Sequence, residues 1–331
     1  MKRLSLCHSP TPIWRHRALD ALVGCELWVK RDDMTAGAAA GNKIRKLEYL
    51  FADALANGAT AVITCGALQS NHARATALVA RELGLTPHLL LRTAEPARPG
   101  PAVGNLLLDR LVGAELRLIT PRQYRERAEL MNQLAEELTA RGEVPYVIPE
   151  GGSNGVGAFG YVTAVEELAE QQARAELPAD LDAVVFACGS GGTAAGVALG
   201  LGRFPGVAAR AVAMAVCDDR AYFEQAIGQI VAEARALDPS LGVPAPFDIY
   251  DTFKGPAYGV ASPEQLGFVA EVARACGLVL DLSYTGKALF GLSRMKGRPR
   301  RALFVHTGGL PGLLAESEAI AAAWEPAAGR P

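Results

Sequence analysis

Gly41-Asn42-Lys43-Ile44-Arg45-Lys46-Leu47-Glu48-Tyr49-Leu50 is where this 331-residue chain carries its most unusual chemistry. Asn42 is a favourable N-cap. Ile44, Leu47, Leu50, Phe51, Ala54 and Leu55 recur at helical spacing, so a helix starts here and stops at Gly58. Lys43, Arg45 and Lys46 then crowd its first turn, where the helix dipole disfavours each cation by roughly 0.3–1 kcal/mol. A bound anion would offset that charge. So would a lysine made neutral by covalent use as an imine. A solvated basic turn is the plain alternative.

Two further stretches could hold anions. The strand-like Ala61-Val62-Ile63-Thr64-Cys65 leads through Gly66 to Gln69 into Ser70-Asn71-His72, which opens a helix reaching Leu83-Gly84. Ser70 is placed to cap it, and such a helix start is an anion site as well as an ordinary cap. Asp182 to Ala187 is a short apolar strand of the buried parallel type. It feeds Cys188-Gly189-Ser190-Gly191-Gly192-Thr193, where bare glycines let backbone N–H groups approach a phosphate. No Gly-Lys-Ser/Thr follows, so this is not a P-loop. Gly189-x-Gly191-x-x-Ala194 with Asp218 partly matches a dinucleotide fingerprint, which keeps a nicotinamide-dependent oxidoreductase using residues 189–196 as a rival reading. The extra glycine and Thr193 suit a single phosphate monoester better.

These residues need a scaffold that presents strand ends. Strand patterns at 25–30, 61–65, 88–91, 115–119, 145–148, 182–187, 211–217 and 302–306 alternate with helical ones at 105–112, 122–141, 156–171, 222–237, 263–277 and 286–294. That alternation predicts α/β layers with parallel sheets, whose ligands sit at the carboxyl ends of the strands. Gly151-Gly152-Ser153-Asn154-Gly155 reads as a hinge, residues 1–40 as irregular at first, and the tail from Ala322 as frayed. Length predicts about two domains. With 33 Lys plus Arg against 35 Asp plus Glu, neither nucleic acid nor a membrane surface is an expected partner. No apolar run approaches the roughly 20 residues that span a bilayer, and no signal-peptide core follows Met1-Lys2-Arg3. A cytoplasmic protein is therefore expected. Its six scattered cysteines should be reduced and mostly buried, without a metal.

A phosphate cup, a charge-strained lysine and a serine-capped helix fit an enzyme that holds pyridoxal phosphate on a lysine. The chain resembles the D-cysteine desulfhydrase / 1-aminocyclopropane-1-carboxylate deaminase family, pyridoxal-phosphate enzymes of the tryptophan-synthase-β type of fold (fold type II). The resemblance runs from Thr11-Pro12 to Gly312. It rests on Gly41 to Glu48, Gln69 to Arg74, Gly104-Asn105-Leu106-Leu107, Gly151 to Asn154, Gly189 to Thr193, Gly255-Pro256-Ala257-Tyr258-Gly259, Tyr284-Thr285-Gly286-Lys287 and His306-Thr307-Gly308-Gly309. Val216-Cys217-Asp218-Asp219 with Tyr222-Phe223 is similar to the plant-type desulfhydrases.

The resemblance implies a large cofactor domain from residues 1–49 and 161–331, with a smaller α/β domain, 50–160, inserted between them. It implies a homodimer acting on a small amino acid. Lys43 would form the Schiff base and then serve as base at Cα. Asn71 would bond the cofactor's phenolic oxygen, and Gly189, Ser190, Gly191, Gly192 and Thr193 would grip its phosphate. Thr285 and Thr307 would face its ring nitrogen. Gln69, Ser70, Asn71 and His72 would form the substrate-carboxylate segment, Ser70 also moving a proton, while the His72 and His306 rings are read as structural. Tyr258 and Tyr284 would face the reacting end of the substrate, core packing being their alternative. A carrier that keeps Lys43 without turnover is a non-catalytic possibility. Ala40, Glu150 and Leu282-Ser283 depart from the family pattern, and none removes a catalytic group.

Thr285 and Thr307 also bear on the reaction. In the family's ring-opening deaminases a glutamate and a leucine stand at these places. A carboxylate keeps the pyridine nitrogen protonated and the ring a deep electron sink, which a substrate without a Cα proton needs. Threonine offers a neutral hydrogen bond. The expected reaction is thus β-elimination of D-cysteine to sulfide, pyruvate and ammonia, with ring opening or another amino-acid lyase reaction of the family as the alternative. The D preference comes from the resemblance alone.

Overall fold

The computed structural model describes residues 1–324; of the tail expected to fray, 322–324 close the last helix and 325–331 lie outside the described residues. The strands are β1 (Ile13–Arg15), β2 (Glu26–Lys30), β3 (Ala61–Ala67), β4 (Thr86–Arg92), β5 (Glu115–Ile119), β6 (Pro145–Val147), β7 (Leu181–Cys188), β8 (Ala208–Ala215), β9 (Phe247–Tyr250) and β10 (Arg301–Val305). The helices are α1 (Arg17–Val23), α2 (Lys43–Ala56), α3 (Asn71–Glu82), α4 (Gly104–Leu111), α5 (Arg127–Ala140), α6 (Gly155–Ala173), α7 (Gly192–Arg203), α8 (Arg220–Leu237), α9 (Pro263–Cys276), α10 (Thr285–Arg294), α11 (Leu310–Ala315) and α12 (Ser317–Trp324).

Two sheets result. One has six strands in the order β1-β2-β10-β7-β8-β9, the other four in the order β5-β4-β3-β6. Every pairing is parallel except β1 with β2. The central strands are apolar on both faces because helices cover both. Val184 and Phe186 of β7 pack with α6, α7 and α8, while their neighbours Ala183 and Val185 pack with α1, α9 and α10. In the smaller sheet Val62 meets α2 and α3, and Ile63 meets α5. The elements missed by periodicity are short: β1, α1, β9, α11 and α12.

Part of the charge crowding at the start of α2 is answered inside the protein. Arg45 reaches Asp32 at 2.8 Å and Glu167 at 2.9 Å, and Lys30 reaches the same Glu167 at 2.5 Å. Tyr161 donates to Asp32 at 2.7 Å. Burial pushes the Asp32 and Glu167 carboxyls up, but Arg45 outweighs it and holds both below the usual range. Such a network stabilises little in total, since desolvation offsets most of the attraction. Its use is positional: it ties the start of α2 to the end of β2 and to α6.

Candidate active site

Lys43 is the first residue of α2 and is half-buried. Asn42, expected to cap this helix, does not. It has helical φ/ψ (−55°, −21°), and its Nδ2 donates instead to Thr193 Oγ1 at 3.2 Å. Its backbone N–H reaches Thr307 O at 3.1 Å. Asn42 therefore pins the lysine between the glycine loop and the segment after β10. Burial lowers the Lys43 pKa to about 8, with Glu150 and Cys188 opposing only in part. A fair fraction of its amine is neutral near pH 7, as a nucleophile or base requires.

Lys43 stands between two cavities. The narrow one is lined by Asn42, Asn71, Cys188, Gly189 to Gly191, Thr193 and Thr307. The wider one, about 470 Å³, is lined by Ser70, Arg92, Tyr124, Arg125, Arg127, Glu150, Cys217, Asp218 and Tyr258. Lys43, Gly189, Ser190 and Tyr284 line both.

The narrow cavity ends on the amino terminus of α7. Gly191 has φ 84° and, as a glycine, supplies no cap of its own. Ser190 and Ser153 bring their hydroxyls together at 2.8 Å, and Gly192 N–H points at Ser153 Oγ at 3.2 Å. A Cβ on Gly192 would sit 2.6 Å from Ser153 Oγ and 2.8 Å from Lys46 Nζ, so the glycine is required by close approach. Lys46 is almost wholly buried with Nζ on Gly151 O (3.1 Å) and Ser153 Oγ (3.3 Å). Burial and the neighbouring Lys43 drive its pKa well down in the bare protein. A helix start met by one hydroxyl from outside the helix, the further Ser190 and Thr193 hydroxyls and a buried amine without a carboxylate partner form a donor set suited to a phosphate. Lys46 and Ser153 line neither cavity but stand directly behind the glycine loop, and sequence reasoning left them out; the charge excess in the first turn was the available signal.

On the other side, Ser70 caps α3 as expected, accepting from Ala73 N–H at 3.1 Å. Its own hydroxyl proton is thereby free. Asn71 follows, its Oδ1 held by Asn105 Nδ2 at 3.0 Å. Gln69 and His72 do not line either cavity. Gln69 spans the turn before α4, donating to Val103 O (3.1 Å) and accepting from Asn105 N–H (2.9 Å). The His72 ring is buried against Thr64 Oγ1 at 2.9 Å.

Tyr258 and Tyr284 meet hydroxyl to hydroxyl at 2.6 Å. Burial pushes Tyr258 up to about 12 and Tyr284 well above its usual value, so both stay protonated and one phenolic hydrogen remains to be offered to the cavity. Thr307 lines the narrow cavity, whereas Thr285 is fully buried behind it. The Thr285 hydroxyl donates to Asp281 Oδ1 at 2.5 Å and accepts from Asp281 N–H at 2.9 Å. Glu150, expected to charge the hinge, pairs with Arg127 at 3.0 Å.

Residues 4–308 match the family model described as pyridoxal-phosphate dependent enzyme. The chain belongs to that family. The donor set at α7 and the depressed lysine between the two cavities fit its cofactor, and the nicotinamide reading of the glycine loop is set aside. The enzyme is 43% identical over 322 residues to the bifunctional D-cysteine desulfhydrase/1-aminocyclopropane-1-carboxylate deaminase of Arabidopsis thaliana, covering 93% of this chain and 78% of that one. It is 40% identical to a D-cysteine desulfhydrase of Klebsiella pneumoniae over 95% of both chains. A crystal structure of an ACC deaminase homologue superposes with TM-score 0.89 at 37% identity, covering 98% of this chain and 96% of that one. The two-sheet α/β arrangement is thus the fold type that the sequence resemblance implied. No helix among the described residues is long and apolar enough to cross a membrane.

Proposed function

We propose that the enzyme is a lyase that converts D-cysteine and water to sulfide, pyruvate and ammonia. One observation carries the choice of β-elimination over ring opening: among the described residues no carboxylate lines the narrow cavity. The side chains there are neutral apart from Lys43. A pyridine nitrogen in that cavity has no acid to keep it protonated.

Pyridoxal phosphate, when bound, withdraws electrons from the substrate's Cα. Gly189 to Thr193, backed by Ser153 and Lys46, would hold its phosphate, Asn71 its phenolic oxygen and Thr307 the ring edge. Lys43 provides the anchoring amine and then takes the Cα proton. The N–H groups at the start of α3 and the Ser70 hydroxyl hold the substrate carboxylate. The one phenolic hydrogen that the Tyr258–Tyr284 pair leaves free donates to the departing sulfur. A thiol with an ordinary pKa of about 8.5 leaves readily once one hydrogen bond meets it.

The second reading is opening of 1-aminocyclopropane-1-carboxylate, supported by the names of the Arabidopsis relative and of the superposed structure. Offering D-cysteine, L-cysteine and the cyclopropane amino acid in parallel separates the two. Sulfide with pyruvate from D-cysteine, and no 2-oxobutyrate, is the expected result. Efficient 2-oxobutyrate release without sulfide overturns the reading. We also propose a cytoplasmic homodimer, with residues 50–160 as the smaller inserted domain between 1–49 and 161–331. The four-stranded sheet, which lies wholly within residues 61–147, supports that division. Light scattering on the purified holoenzyme tests the dimer: a monomeric mass removes it.

A further inference from the structure

Asn105, the second residue of α4, is completely buried. Its Nδ2 makes two contacts, to Gln69 O at 3.0 Å and to Asn71 Oδ1 at 3.0 Å. Gln69 O is a main-chain carbonyl and can only accept. That contact decides which end of the Asn105 amide is nitrogen. Whatever atom of Asn71 faces the same nitrogen must also accept, so it is Oδ1. The Asn71 Nδ2 is left as the free end of the amide, with no protein partner among the described residues, on a side chain that lines the narrow cavity with Lys43.

The joint that holds Asn105 is itself built. Gln69 accepts from the Asn105 backbone N–H at 2.9 Å and donates to Val103 O at 3.1 Å. A Cβ on Gly104, which has φ 54°, would fall 2.6 Å from Gln69 Oε1. Gln69 thus locks α4 against the loop before α3, and Asn105 transmits that lock to Asn71.

We infer that Asn105 is a positioning residue: it orients the Asn71 amide so that its N–H2 end, not its oxygen, meets the phenolic oxygen of the bound cofactor. The inference rests on the proposed role of Asn71, and it gives Gln69 a supporting task in place of substrate contact. A donor on the phenolic oxygen stabilises negative charge gathered there, which is greatest when the Lys43 imine has lost its proton. The donor therefore lowers the imine pKa, and losing it raises that pKa.

The test is a pH titration of the visible band of the holoenzyme. Asn71→Ala should raise the imine pKa by about one unit, the scale of one hydrogen bond to a charged group. Asn105→Ala should raise it in the same direction by a smaller amount, because Asn71 is then free to turn. Asn105→Asp replaces the donor with acceptors only. It should draw the Asn71 Nδ2 away from the cavity and raise the pKa at least as far as Asn71→Ala does. The Asn71→Ala, Asn105→Ala double variant should titrate like Asn71→Ala alone. Melting profiles of the holoenzymes identify any variant that fails to fold, and Asn105→Ser then substitutes for it. No shift in Asn71→Ala removes the Asn71 contact on which the inference stands. A shift there with none in the Asn105 variants, or an additive double variant, overturns the role of Asn105 itself.

Discussion

α3 and α7 both aim their amino termini at the space around Lys43, and they are finished differently. Ser70 closes α3 by accepting from Ala73 N–H at 3.1 Å, whereas α7 begins at a left-handed Gly191 with no side chain of its own to cap it, only the distant Ser153 Oγ meeting Gly192 N–H. A ligand that stays can serve as a cap, so the helix beneath it can be left open. A ligand that comes and goes cannot, so the helix it visits must be complete without it. That reasoning supports the proposed division, with α7 the seat of the resident phosphate and α3 the seat of the transient carboxylate.

Removing the group between the two ends has the largest expected effect. Lys43→Ala should abolish both the borohydride-sensitive visible band and turnover, with both helix ends intact. If the variant keeps the band, Lys46 is the anchoring amine and the division of labour collapses. Ser70→Ala comes next. It should retain the band and lose turnover by about 10²–10⁴-fold, the usual loss for one positioned proton-transfer group. It should also cost about 1 kcal/mol of stability through the missing cap, read from thermal melts. Unchanged turnover would reduce Ser70 to a cap.

At the open end the effect should be on retention, not on rate. Lys46→Met removes a charged donor and should weaken cofactor affinity about 10–100-fold, while the saturated enzyme keeps its band. Gly192→Ala should do likewise, because its Cβ collides with Ser153 Oγ and Lys46 Nζ. Equilibrium dialysis measures both, and wild-type affinity in the pair would sever α7 from the phosphate. The smallest effect is in pH. Burial lowers the Lys43 pKa from 10.5 to about 8 in the bare protein, so the reactive neutral amine grows with pH below that value and levels off above it. Cofactor uptake by the apoprotein should rise between about pH 6 and 8 and then flatten. A rise continuing to pH 10 would mean an unperturbed lysine.

Much of this arrangement was legible in the chain. The apolar runs at 61–65, 182–187 and 302–305 are strands buried on both faces, and the glycines after them stand at the strand ends around Lys43 where the ligands are proposed to sit. Periodicity failed where elements are short or depend on distant partners. β1 exists through its pairing with β2, and β9 is a four-residue edge strand next to β8. Local preference misled at Asn42, because a contact to Thr193 draws its amide away from the cap position. Arg45 could not be matched in advance to Asp32 and Glu167, since only the folded packing of β2, α2 and α6 brings them together. Thr285 was assigned from a motif, and the acid that occupies its hydroxyl, Asp281, lies one turn earlier and outside that motif.

Cys188 and Cys217 line the two cavities at which a thiol substrate is proposed to react. Burial pushes the Cys188 thiol up to about 12 and raises Cys217 as well. Since thiolates, not thiols, attack disulfides and accept oxidants, both sulfurs are chemically quiet at neutral pH. If the proposed reaction is the one catalysed, thiols that meet substrate and sulfide here would be slow to form mixed disulfides. The burial that closes these two sulfurs in is the same feature that keeps them as thiols.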